Sequence, residues 1–221
     1  MSSEAHDIIK ICGLTDSAAL TAACDAGADF VGFVNFAKSP RHLELAAMAD
    51  LAAMSPPQKR VVLLVDPDDD LTDAVIASIS PFALQLHGSE TPARVAALKT
   101  RIPDVEIWKA LPVADPADIS AADAYRADRA LFDAKPPQNA DRPGGWGDTF
   151  DWSFLDGANV RTPWLLAGGL NPDNVADAIR ATDAPGVDVS SGVERAPGVK
   201  DPKMIEDFIA AARAEFAQRG D

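Results

Sequence analysis

Short apolar runs and helix-patterned stretches alternate along the whole chain. The runs fall at Ile8–Ile11, Phe30–Val34, Val61–Val65, Phe82–Leu86, Val105–Lys109, Ala130–Phe132, Trp164–Leu166 and Val187–Val189. Several of them, Val61-Val62-Leu63-Leu64-Val65 most clearly, are apolar at every position, the pattern of parallel strands buried on both faces. Between the runs, Thr91-Pro92, Asp115-Pro116, Asn171-Pro172 and Asp201-Pro202 each set a capping side chain ahead of a proline. The cap accepts a backbone N–H that the first helical turn leaves unpaired, and proline has none to lose there. Further helices are expected after Leu14, Leu43, Asp70 and Asp151. The pattern therefore predicts about eight strand–helix units, the count of a (β/α)8 TIM barrel, over residues 1–221 as a single domain. A doubly wound open sheet is the alternative, but no Gly-x-Gly-x-x-Gly follows the first strand. The Pro- and Gly-rich stretch Ala134–Phe150 breaks the rhythm and predicts a functional loop.

In such a barrel, reactive groups sit where strands run out into the loops before helices. Cys12 closes the first run, Lys38-Ser39-Pro40-Arg41 follows the second, His87 closes the fourth and Asp133 the sixth. Gly168-Gly169 follows the seventh, and Asp188 to Gly192 ends the eighth. A thiol at a strand mouth can ionise and act as a base, and a carboxyl on the same rim can act as an acid. Gly168-Gly169 before Leu170-Asn171-Pro172 reads as a glycine turn entering a helix N-terminus, which offers unpaired N–H groups to an anion. Ser190-Ser191-Gly192 is expected to repeat that arrangement, and phosphate binds at this place in many such barrels. Arg41 carries a planar fork suited to a carboxylate, or else is a surface arginine of the second helix. His87 reads as a substrate-positioning or a rim histidine. For Asp188, a sugar-hydroxyl contact and a structural bond to rim amides both stay open.

Composition narrows the class of function. A formal net charge of −14 argues against a nucleic-acid surface. Two cysteines make no disulfide framework, and Cys24 reads as a small core residue. Residues Met1 to Asp7 are polar with no apolar signal core behind them, and no apolar run nears ~20 residues, so the expected location is cytoplasmic and off the membrane.

Taken in order, Lys10-Ile11-Cys12-Gly13, Gly32-Phe33-Val34, Lys38-Ser39-Pro40-Arg41 and Leu84-Gln85-Leu86-His87-Gly88 resemble the signatures of phosphoribosylanthranilate isomerases. So do Gly144-Gly145 with Phe150-Asp151-Trp152, Ala167 to Val175, and Asp188-Val189-Ser190-Ser191-Gly192-Val193-Glu194. The resemblance implies a (β/α)8 barrel that isomerises N-(5-phosphoribosyl)anthranilate by an Amadori rearrangement in tryptophan biosynthesis. It implies no cofactor and no metal, a small phosphorylated substrate as the partner, and a monomer or homodimer. It implies Cys12 as general base, Asp133 as general acid and Arg41 as the contact for the anthranilate carboxylate. Those roles require a raised pKa at Asp133, from partial burial, and a lowered one at Cys12, where Lys10 falls on the same side of the strand. Asn35 and Ala37 stand where the family pattern has an aromatic and a proline, and Trp146 and Asp148 interrupt the Gly-rich stretch. Trp146 is a candidate cover for an aromatic ring. Competing readings are a related phosphosugar barrel enzyme, such as an epimerase, a lyase or the sister isomerase of histidine synthesis, the last of which would use two carboxylates where this chain has Cys12, and a non-catalytic phosphate-binding barrel.

Overall fold

Alternation along each strand sends one set of side chains outward to helices and the other into a closed interior. The computed structural model describes residues 7–219. Its eight parallel strands are β1 (Ile8–Ile11), β2 (Phe30–Asn35), β3 (Arg60–Leu64), β4 (Ala83–Leu86), β5 (Glu106–Val113), β6 (Arg129–Ala134), β7 (Trp164–Leu166) and β8 (Gly186–Val189). They pair in chain order, and β8 returns to β1 to close a (β/α)8 barrel. Around it lie α1 (Ser17–Asp25), α2 (Leu45–Ala52), α3 (Asp69–Ile79), α4 (Pro92–Arg101), α5 (Pro116–Ser120), α6 (Ala122–Tyr125), α7 (Val175–Thr182) and α8 (Pro202–Ala217).

Outward residues such as Ile9, Ile11, Phe33, Val62 and Leu64 join helix residues including Leu20, Val75 and Phe208 in the main core. Inward residues Ile8, Val61, Ala83, Trp108, Leu131 and Leu165 plug the N-terminal end of the barrel. Trp108 is fully buried, meets Phe30 edge-on at 4.9 Å, and donates its indole N–H to Glu106 at 2.7 Å. Truncating such a side chain to alanine costs about 3–5 kcal/mol. With that end filled, the polar inward residues collect at the other.

Three of the four predicted caps work as read. Thr91 accepts from Arg94, Asp115 forms a capping box with Asp118, and Asp201 accepts from Lys203 and Met204. Asn171 does not start a helix: its side chain accepts from Asp173 and Asn174, and α7 begins only at Val175. The carboxamide of Asn174 accepts from the Asn171 N–H at 2.8 Å and donates to the Gly169 carbonyl at 3.0 Å, so this segment clasps the glycine turn. After Asp151 there is a 3-10 turn, Trp152–Leu155, in place of an α-helix, because Gly157 with φ +66° ends it almost at once. Ser191–Val193 is likewise a 3-10 turn, followed by a hairpin of β9 (Glu194–Ala196) and β10 (Val199–Lys200) before α8. The expected helix N-terminus at Ser190–Gly192 is thus absent. β5 outruns its predicted end at Lys109, since Pro112 is tolerated opposite Asp133. The α3 cap is Asp68, so that helix starts just before Asp70.

Candidate active site

Strand register, more than proximity in the chain, assembles the mouth of the barrel. Lys10 on β1 lies beside Asp188 on β8, and its buried ammonium donates to the Asp188 carboxylate at 2.8 Å. Cys12 follows two residues later on the same inward face. Together with Arg41, His87, Asp133, Gly168, Gly169, Asp188, Ser190 and Ser191 it lines one pocket, in which apolar walls and convergent polar groups meet as they do in small-molecule sites. Gly192 is a support beneath the pocket and not part of its lining: a Cβ there would run into the Leu170 carbonyl, so only glycine lets loops seven and eight close on each other. Asp188 is tied to the Lys10 ammonium, a partner that neither of its expected roles included.

The Cys12 thiol is pushed up, not down. Burial is the largest cause; Lys10 and Lys200 pull the other way, and Asp188 adds to the rise. The expected drift toward thiolate fails because the sulfur is buried and the neighbouring Lys10 charge is already balanced by Asp188. Lys10 itself would be lowered by its burial, but Asp188 and Cys12 outweigh that and raise it. Lys200 is held down to about 8, chiefly by burial, with Glu194 opposing. Its ammonium donates to the Ser190 carbonyl at 2.8 Å and to Glu194 at 2.8 Å, while the Ser190 hydroxyl donates to the Cys12 carbonyl at 3.1 Å.

Arg41 is only 4% exposed, which removes the surface-arginine reading. Its Nε and Nη2 donate to the two carboxylate oxygens of Glu194 at 2.7 and 2.8 Å. One edge of the fork is therefore occupied, and Nη1 is the nitrogen beneath Gly145, where a Cβ would come within 2.5 Å of it. Burial would raise the Glu194 carboxyl, but the bonds from Arg41 and the charge of Lys200 together bring it below its usual value.

Asp133 accepts from the Ala134 N–H at 2.9 Å through Oδ1, and its Oδ2 lies 3.3 Å from His87 Nε2. The long sixth loop lies over this pair. A Cβ on Gly144 would sit 2.8 Å from Asp133 Oδ2, and Gly169 packs beneath Asp148 and Thr149. Trp146, 39% exposed, gives one face to the Arg142 guanidinium at 3.9 Å and its N–H to the Arg142 carbonyl. The departures in the second loop are accommodated: Asn35 donates to the Leu43 carbonyl at 2.9 Å, and Phe36, one residue on, lines the pocket.

Glu194 and Lys200 carry no predicted role although both belong to this site; Gln85, which the strand pattern turns into the barrel or its mouth, does line the pocket, but with no role assigned to it. Glu194 and Gln85 stand inside the quoted motifs, but nothing local says what they touch. A lone lysine before a helix cap reads as solvated. Among the described residues, no cluster of three or more His, Cys, Asp or Glu could hold a metal ion, and no helix is long and apolar enough to cross a membrane.

The family model described as N-(5'phosphoribosyl)anthranilate (PRA) isomerase matches residues 9–211. The chain is 56% identical over 209 residues to the N-(5'-phosphoribosyl)anthranilate isomerase of Paracoccus denitrificans, covering 93% of this chain and 97% of that one. It is 54% identical over 211 residues to the enzyme of the same name from Rhodopseudomonas palustris, covering 94% and 98%. The crystal structure of phosphoribosyl anthranilate isomerase from Thermotoga maritima superposes with a TM-score of 0.82 at 34% identity, covering 94% of this chain and 99% of that one. A second solved isomerase, with TM-score 0.78, 32% identity and coverage of 94% and 99%, holds reduced 1-(o-carboxyphenylamino)-1-deoxyribulose 5-phosphate. The barrel, the polar mouth and these likenesses agree: the chain belongs to the N-(5'-phosphoribosyl)anthranilate isomerase family.

Proposed function

We propose that this mouth carries out the Amadori rearrangement of N-(5-phosphoribosyl)anthranilate with Asp133 as acid and Cys12 as base. The observation that supports it most is that a thiol from the end of β1 and a carboxyl from the end of β6 open into one pocket. Asp133 protonates the furanose ring oxygen, the bond from that oxygen to C1 breaks, and the anthranilate nitrogen supplies the electron pair to form an iminium. Cys12 in its thiolate form then takes the C2 proton and becomes the thiol, giving an enolamine that tautomerises to the ketone. The reaction moves hydrogen within one molecule and requires no outside oxidant or reductant. His87, 3.3 Å from Asp133, holds the acid in position. Lys10 and Lys200 each favour the ionised sulfur, so the thiolate that takes the C2 proton has two ammonium groups to stabilise it.

The remaining parts of the substrate have matching surfaces. The N–H groups of Gly168 and Gly169 have no backbone acceptor among the described residues, and both glycines take positive φ, +84° and +61°, which turns their amides out of the barrel ladder. With Ser190 and Ser191 they form the phosphate end, and Gly192 lets the two loops meet. The anthranilate carboxylate takes the free nitrogen of Arg41, and Val34, Phe36, Leu63 and Val65 offer its ring an apolar wall. Following loss of substrate fluorescence with purified protein, Cys12→Ala and Asp133→Ala should each lower kcat by at least about a hundredfold. Near-wild-type turnover in either variant removes that residue from its role.

A further inference from the structure

We infer that Gln85 is a substrate-contacting residue whose carboxamide hydrogen-bonds a hydroxyl of the open-chain sugar, an assignment that rests on the isomerase reading above. Gln85 stands on β4 between Leu63 of β3 and Trp108 of β5, turned into the barrel where the apolar plug gives way to the pocket. It is 1% exposed, and its Oε1 has no hydrogen-bond partner among the described residues. Around it Lys10 pairs with Asp188, Arg41 with Glu194, and Asp133 with Ala134 and His87; the other unpartnered buried atom of the lining, Arg142 Nε, belongs to the sixth loop and not to a barrel strand. A buried amide without a partner costs stability that a methionine or leucine of similar volume would not. Such a group in a pocket wall fits a partner that arrives with the ligand.

The chemistry of the amide selects which part of the ligand that is. Gln85 is neutral, so it adds nothing to the recognition of a phosphate or a carboxylate, for which the glycine turns and Arg41 are present. Between its two anionic ends the substrate carries the reacting ring oxygen, which Asp133 serves, the anthranilate nitrogen, whose electron pair forms the iminium, and a row of sugar hydroxyls, and it is the hydroxyls that otherwise lack a partner. An amide can turn to present either its oxygen or its NH2 to them, and it carries no charge that would disturb the neighbouring acid and base.

The test is Gln85→Met, which keeps volume and removes both hydrogen-bonding atoms. Its kcat/KM should fall about tenfold to a hundredfold, while competitive inhibition by orthophosphate stays unchanged. The melting temperature of the ligand-free variant should hold or rise, because an unsatisfied polar group has been removed. Gln85→Ala should show the same kinetic loss if methionine packs poorly. Wild-type kcat/KM in either variant, or a kinetic loss matched by a fall in melting temperature in both, overturns the assignment. Absence of turnover by the wild type would sink the isomerase reading and this one together, whereas an active wild type with an indifferent Gln85→Met sinks this one alone.

Discussion

Replacing Glu194 by glutamine would leave two buried cations, Arg41 and Lys200, beside each other without their shared counter-charge. The carboxylate is bonded to both Arg41 nitrogens at 2.7 and 2.8 Å and to Lys200 at 2.8 Å, and all three side chains are at most 5% exposed. Removing one member of a buried pair typically costs about 3–5 kcal/mol, because the remaining charge is desolvated and unpaired. For a chain of this size, each kcal/mol shifts the midpoint by roughly 2–4 °C, so a drop on the order of 6–20 °C is expected. The loss should also depend on pH, with a sign that follows from Lys200. Its folded pKa is about 8, below the ordinary 10.5, so the folded state holds its proton less tightly than the unfolded chain. Stability from this group therefore rises as pH climbs from about 8 toward 10.5. Without Glu194 the folded value falls further, so the rise begins at lower pH and the deficit of the variant narrows as pH approaches 8. Thermal melts from pH 5.5 to 8.5, with Glu194→Gln/Lys200→Met as the relieving double variant, measure both effects. A loss under about 1 kcal/mol, the scale of an exposed ion pair, or a deficit that widens toward pH 8 would refute the argument.

Two further predictions concern the same rim. Asp188 raises the Cys12 pKa and neutralises Lys10, so Asp188→Asn should lower it and speed iodoacetamide labelling of the Cys12 peptide at pH 8, while the wild-type rate should still climb above pH 9; slower labelling of the variant at pH 8 would contradict this electrostatic account. Gly192→Ala should drive the Leu170 carbonyl away, cost about 1–3 kcal/mol and weaken orthophosphate inhibition; an unchanged inhibition constant would separate Gly192 from the phosphate end.

What the chain declares by itself is local. Runs such as Val61–Leu64 are buried strands because no polar residue interrupts them, and Thr91, Asp115 and Asp201 start helices because a cap and the N–H groups it accepts from lie within three residues. The placement of Cys12, His87 and Asp133 at strand ends is legible for the same reason, and so the rim could be read before its geometry. The closure of the barrel and the partners at its mouth belong to the tertiary structure. Lys10 meets Asp188 across 178 residues and Arg41 meets Glu194 across 153, separations that no sequence window spans and that only strand register and the β9–β10 hairpin bring to contact. Asn171-Pro172 looks like a helix start in isolation, but its neighbours are used to clasp Gly169. Burial is likewise a property of the assembled fold, and burial is what raises the Cys12 thiol and holds Lys200 near 8. Residue type and spacing determine which groups can do chemistry; the charge state in which each one waits is decided by what the closed barrel packs around it.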